Sequence, residues 1–218
     1  MAPDRVQSLG PDELLTTTRA VRKRLDFERP VPRELLLECL QVAVQAPTGS
    51  NRQGWQFVFV DDPEKKRAVA EYYGRAWDAY NSLPRPQYPE GDVRGARQDH
   101  VVSSAMYLRE RMHEVPWLLI PCIRGRLHEG APTVEQAGLM GSIIPAFWSF
   151  LLAARARGLG TAYTTLHLVY EREVAEVLGI PYEKYTQAGM SPIAYYTGEA
   201  FKAAERVPLD SITHWNGW

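Results

Sequence analysis

The sequence predicts one domain in which helices and strands are mixed around a single, very apolar helix. Three observations carry this. The first is an uncharged run, Gly138 to Ala154, that opens after Glu135 and closes on Arg155 and Arg157. The second is a pair of short uncharged stretches, WQFVFV at 55–60 and WLLIPCI at 117–123, each bounded by proline, glycine or acidic residues as buried strands are. The third is length: 218 residues suit one domain, and such a chain buries roughly 70% of its unfolded surface.

A helix apolar all round is buried on every side. The run is short of the roughly 20 apolar residues a membrane span needs, and it contains Ser142, Pro145 and Ser149. A soluble domain of this size rarely needs so apolar a helix for its own core. The surplus points to a subunit interface or a cofactor face. Pro145 removes a backbone donor and should bend the helix.

Taken in order, Pro11 suits a first helical position, with Asp12 and Glu13 at the positive end. That helix is expected to continue through TTTRAVRKRLDF. Arg19 and Arg22, three apart, would then share a face, either as a solvated helix end or as an anion site. Pro32 opens a second helix, RELLLECLQVAVQA, expected to end at Pro47. The loop Thr48-Gly49-Ser50-Asn51-Arg52-Gln53 leads into the first strand. It is an ordinary helix-to-strand connection by composition, yet its amides and hydroxyls also suit the rim of a planar heterocycle. Asp62-Pro63 begins a third helix with Tyr72, Tyr73, Trp77 and Tyr80 near helical spacing, a stripe that reads first as core. LPRPQYPEGDVRG is a loop or lid. A fourth helix, about Ala96 to His113, precedes the second strand, and RGRLHEGAPT returns the chain to the central helix. Beyond it come a strand in GLGTAYTT, a short helix ended by Gly179 and Pro181, and a last strand in YTQAGMSPIAYYTG. The tail ends with Trp215 and Trp218.

A net charge of −1 argues against nucleic acid, whose binders carry a basic stripe. Cys39 and Cys122 lie in apolar runs and read as reduced core residues. MAPDRVQSLG has no apolar signal region, so the expected location is the cytoplasm, away from membranes. Five scattered histidines show no metal spacing, so no metal is expected. There is no G-x-S-x-G elbow, Walker loop or complete dinucleotide fingerprint. With arginines, a polar loop, aromatics and no obvious nucleophile, a cofactor is expected to carry the chemistry.

Four stretches resemble the FMN-dependent nitroreductase family. Thr18-Arg19-Ala20-Val21-Arg22 resembles its R-[RS]-S-V-R opening, and APTGSNRQGW from Ala46 to Trp55 its A-P-S-G-x-N-x-Q-P-W loop. PAFWSFLLAARARGLG from Pro145 is similar to its P-A-v-q-N-l-L-L-A-A-r-a-x-G-L-G segment, and ERVPLDSITHW to its closing R-x-P-L-x-x-x-x-H-W. The resemblance implies an α+β nitroreductase-like fold: a central, mostly antiparallel sheet flanked by helices, in an intertwined homodimer. It implies one FMN-binding domain over residues 1–218. It also implies an oxidoreductase taking hydride from NADH or NADPH through flavin N5 to a flat, electron-poor aromatic substrate such as a nitroaromatic or quinone, in ping-pong fashion. Branches of the family turn the same cofactor to dehalogenation, flavin destruction or ene reduction, and a non-catalytic protein that sequesters FMN is a further possibility.

Carried over residue by residue, Arg19, Ala20, Arg22 and Arg206 fall on phosphate and ribityl contacts, and Pro47, Thr48 and Asn51 where the loop meets the flavin. Pro145 and Ala146 would approach the ring from the partner subunit. Thr164 and Thr165 fall near N5 and O4, with Thr165 as the catalytic candidate. This chain departs from the pattern at Gly54, where the family has proline, at Ala20, where it has serine, and at Trp148-Ser149, where it has Gln-Asn.

Overall fold

The computed structural model describes residues 9–198 and 201–218. Its elements in order are α1 (Pro11–Thr17), β1 (Leu25–Asp26), α2 (Arg33–Ala43), β2 (Trp55–Val60), α3 (Pro63–Asn81), α4 (Gln98–Arg111), β3 (Trp117–Arg124), α5 (Thr133–Ala156), β4 (Leu159–Thr161), α6 (Glu171–Leu178), β5 (Tyr185–Gln187) and β6 (Ser191–Tyr196).

The sheet runs β1-β6-β3-β2, with β4 added on β6 and β5 on β3, and every strand pairing is antiparallel. The fold is α+β and nitroreductase-like. Strand β3 is its spine. Residues 117–123 are all buried because helices cover both faces, so its sequence reads as a continuous apolar run rather than an alternation. On one face Leu118, Ile120 and Cys122 meet Val69, Tyr73, Leu108 and Met112 of α3 and the α4 region. On the other, Trp117 and Leu119 meet Leu36, Cys39, Phe147, Phe150 and Leu151 of α2 and α5. Cys39 and Cys122 are both free and buried, and burial pushes each thiol up to about 12.

Helix α3 begins as its sequence dictates. The Asp62 carboxylate accepts the backbone N–H groups of Glu64 and Lys65, with Pro63 at the first position. Its Lys66 buries its stem and donates from Nζ to the Val115 carbonyl at 2.6 Å, which pins α3 to the start of β3.

Helix α5 is long and apolar enough to cross a membrane by composition alone, yet its second half packs against α2 and the sheet. Buried on every side it is not. Val134, Ile144 and Trp148 are exposed, beside exposed Leu15 of α1 and Leu37 and Val42 of α2. Pro145 lies within the unbroken helix. One turn earlier, the Ser142 carbonyl accepts the Trp55 indole N–H at 2.5 Å.

Three local expectations are corrected. Helix α1 stops at Thr17, and the chain runs on without helix to Val21 and turns at Arg22–Arg24, because Val21 donates its N–H to the Thr161 carbonyl at 2.8 Å and Ala20 bridges Thr161. Thus Arg19 and Arg22 do not share a helix face. Helix α2 ends at Ala43, a turn before Pro47. The last strand is two, β5 and β6, broken where Gly189 lets the Phe147 ring approach: a Cβ there would sit 3.0 Å from it.

Candidate functional site

The segment after α1 and the tail converge. Arg19, Arg22 and Arg206 line one cavity of about 860 Å³, walled by Trp77 and Tyr80 of α3, the segment 83–97, and Val101, Val102 and Ala105 of α4. The segment is held there by close packing. Gly160 of β4 lies so near that a Cβ on it would meet the Val21 side chain at 2.9 Å and Leu25 at 3.0 Å. Burial, followed by the nearby charges of Arg206 and Arg97, lowers the Arg19 pKa. None of these three arginines forms an ion pair among the described residues. Six arginines line the cavity against one carboxylate, Glu205, an excess of positive charge that suits an anion. Lys23 and Arg24 turn away from the cavity. Lys23 reaches Ser103, while Arg24 donates to the Thr197 carbonyl and lies 4.2 Å over the Phe201 ring.

Arg22 is also tied to α4. Its guanidinium donates to Ser104 Oγ at 3.3 Å. Burial lowers its pKa, with Tyr73 beside it opposing the shift. Burial raises the Tyr73 phenol, against a hydrogen bond with the Thr164 side chain and the charge of Arg22. Thr164 itself exchanges two backbone hydrogen bonds with Met190. Tyr73, buried on α3, is thus the group that both Arg22 and Thr164 influence. Sequence reasoning placed Tyr73 only in the core; its position one helical turn from Trp77 was the signal available. Thr165 is exposed, makes no capping hydrogen bond with its side chain, and begins the turn Leu166–Tyr170. Neither threonine lines the arginine cavity.

The other expected residues lie elsewhere in the chain. The loop after α2 rests on α5, where the Gly49 N–H donates to Ser142 Oγ at 3.1 Å, and Thr48 lines a second cavity with Arg124, Arg126 and Leu139. Ser50, Asn51 and Gln53 all adopt positive φ, of 54°, 52° and 48°. Left-handed backbone at three non-glycine residues in four is costly strain of the kind that collects at ligand sites. Thr48 Oγ1 accepts the Gln53 N–H, and Gln53 Nε2 donates to Asn51 Oδ1, so the strained loop is cross-braced. Pro47 is exposed and Pro145 half-buried. Ala146 is fully buried within its own chain, so its side chain is not available to a ring in a partner's site; exposed Trp148, on the same helix, is.

A family model, the Nitroreductase family, matches residues 15–195. The chain belongs to the nitroreductase family. Among curated relatives, it is 27% identical to an NADH dehydrogenase of Thermus thermophilus over 93% of this chain and 97% of that one. Solved structures with the nitroreductase fold include an iodotyrosine deiodinase bound to FMN and 3-iodo-L-tyrosine, with a TM-score of 0.69 and 23% identity over 94% of this chain and 98% of that one. An FMN and NADPH-dependent nitroreductase from sphigopyxis sp. strain HMH superposes with a TM-score of 0.67 and 23% identity, covering 96% of this chain and 100% of the other.

Proposed function

We propose that this nitroreductase-family protein is a soluble, cytoplasmic FMN oxidoreductase that takes electrons from NADH or NADPH and passes them to a flat, electron-poor acceptor, a nitroaromatic or a quinone. The observation that carries the reading is the convergence of Arg19, Arg22 and Arg206, from distant parts of the chain, on one cavity where arginines outnumber the one lining carboxylate, Glu205, and none of the three is in an ion pair among the described residues. A phosphomonoester with close to two negative charges fits that set, since a planar guanidinium can hold two of its oxygens at once. FMN would supply hydride chemistry between the two substrates, which use the site in turn. The chain's own part is to bind and orient. The arginines hold the phosphate, the backbone at exposed Ala20 borders the ribityl chain, and Thr164 and Thr165 face the ring edge.

The reading includes a homodimer. The loop carrying Pro47, Thr48 and Asn51 and the arginine cavity are separate in one chain. A second copy docked on the exposed apolar face of α1, α2 and α5 would unite them, with Pro145 and Trp148 at the seam and the Trp215–Trp218 tail lying across the partner. Exposed Leu37, Val42, Ile144 and Trp148 favour such an interface, and so do Leu209, Ile212, Trp215 and Trp218 of the tail.

The likeness to a deiodinase favours a second reading, reductive dehalogenation at the same site. One experiment separates them. Purified yellow protein with one FMN per chain is assayed for NAD(P)H oxidation with a quinone, a nitroaromatic and an iodinated phenol. Turnover with the first two supports the main reading, and turnover with the third alone replaces it. A colourless protein that takes up no FMN overturns both.

A further inference from the structure

The outer wall of the arginine cavity is the irregular segment 82–94, the single turn Gly95–Arg97 and the start of α4. It brings three more arginines to the cavity, and they are not alike. Arg85 reaches Asp99 at 3.4 Å. Arg94 holds Asp92 through Nη2 at 2.7 Å and Nε at 3.0 Å, with its guanidinium 4.7 Å over the Tyr88 ring. Arg97 has no ion-pair partner among the described residues, is exposed, and presents its charge to Arg19 beside that of Arg206.

We propose that Arg97 is a further arm of the phosphate site, supplied by the wall segment, so that binding of a phosphorylated flavin fastens the segment 82–97 over the cavity. This rests on the FMN reading and adds to it a residue that neither the sequence motifs nor their order single out. The argument is electrostatic and geometric. Three guanidinium groups face one cavity whose lining holds a single carboxylate, Glu205, paired with none of them among the described residues, so an anion between them relieves their repulsion. A phosphomonoester has three terminal oxygens, enough acceptors for donors from Arg19, Arg206 and Arg97 together. Arg19 comes from the segment tied to β4 through Ala20 and Val21, and Arg206 from the C-terminal tail. Arg97 alone comes from the wall, so its bond to phosphate would restrain the wall as well as the ligand. Arg94, already saturated by Asp92, stiffens the turn that presents Arg97.

The test uses full-length protein stripped of flavin and titrated with FMN and with riboflavin, followed by quenching of flavin fluorescence. Arg97→Gln should weaken FMN roughly ten- to hundredfold, the scale of a lost hydrogen bond to a charged group. Riboflavin, lacking the phosphate, should bind the variant and the wild type alike. Arg97→Lys should recover part of the FMN affinity, and Arg67→Gln, exposed on α3 and outside the cavity, should change neither ligand. In the wild type, FMN but not riboflavin should slow tryptic cleavage after Arg94. The proposal is overturned by equal FMN affinity in Arg97→Gln and wild type, by an equal loss for riboflavin, or by an equal loss in Arg67→Gln. It is overturned too if both flavins protect the Arg94 bond alike. A wild type that binds riboflavin and FMN equally defeats the phosphate site as a whole, and one that binds neither defeats the FMN reading itself.

Discussion

His167 gives the protein an acid-sensitive point two residues beyond Thr165. Its ring is fully buried, and neither nitrogen makes a hydrogen bond among the described residues. Burial pushes its pKa down from 6.5 to about 3, and the Gln187 amide, which approaches the ring, offsets this only in part. A depressed basic group is neutral in the fold, while the unfolded chain takes up a proton below pH 6.5. Stability is therefore complete above that pH and is lost as pH falls toward 3. Between about pH 8 and about pH 5 the loss from this one group is about 2 kcal/mol, out of a limit of about 4–5 kcal/mol at lower pH. His167→Leu removes the titration and two unpaired polar atoms together, so at about pH 8 it should stay within about 1 kcal/mol of wild type. At about pH 5 the variant should be the more stable by about 2 kcal/mol. Urea unfolding followed by tryptophan fluorescence, at one protein concentration and both pH values, measures the difference, in which other titrating groups cancel. If wild type and variant lose equal stability between the two conditions, His167 is not a buried neutral imidazole and the reasoning fails.

Three further outcomes are expected. Arg22→Ala or Arg206→Ala should weaken FMN binding by about 2–5 kcal/mol, roughly thirtyfold or more, whereas Arg67→Ala, exposed on α3, should leave it unchanged; equal affinity across the three would move the phosphate elsewhere. Gly160→Ala forces a Cβ against Val21 and Leu25 and should cost about 1–3 kcal/mol in thermal or urea unfolding, with weaker FMN binding because the arginine segment is displaced. Trp148→Asp puts a charge on the exposed apolar face of α5 and should shift the protein from dimer to monomer or aggregate on light scattering; an unperturbed dimer would place the interface on another surface.

Much of this molecule was legible in its residues. Asp62-Pro63 set the start of α3, the unbroken apolar run set β3, and Gly179, in the left-handed conformation at φ 68°, stopped α6. In each case the cause is local: a side-chain cap, a fixed proline φ, a missing Cβ. The ordered motifs named the family as well, whose model matches residues 15–195. The residues from Thr18 to Arg22 show where local reading ends. Their composition favours continuing α1, and only the Thr161 carbonyl, well over a hundred residues away, together with the burial of Val21 and Leu25, draws the backbone out of helix. That one long-range pairing sends Arg19 and Arg22 into the cavity with Arg206 and turns Lys23 and Arg24 away from it. The burial of Tyr73 near Arg22, and the position of Arg97 at the cavity without an ion pair among the described residues, are likewise products of packing. Sequence fixes which groups are available, whereas their distances depend on which backbone donors and apolar side chains find partners across the fold.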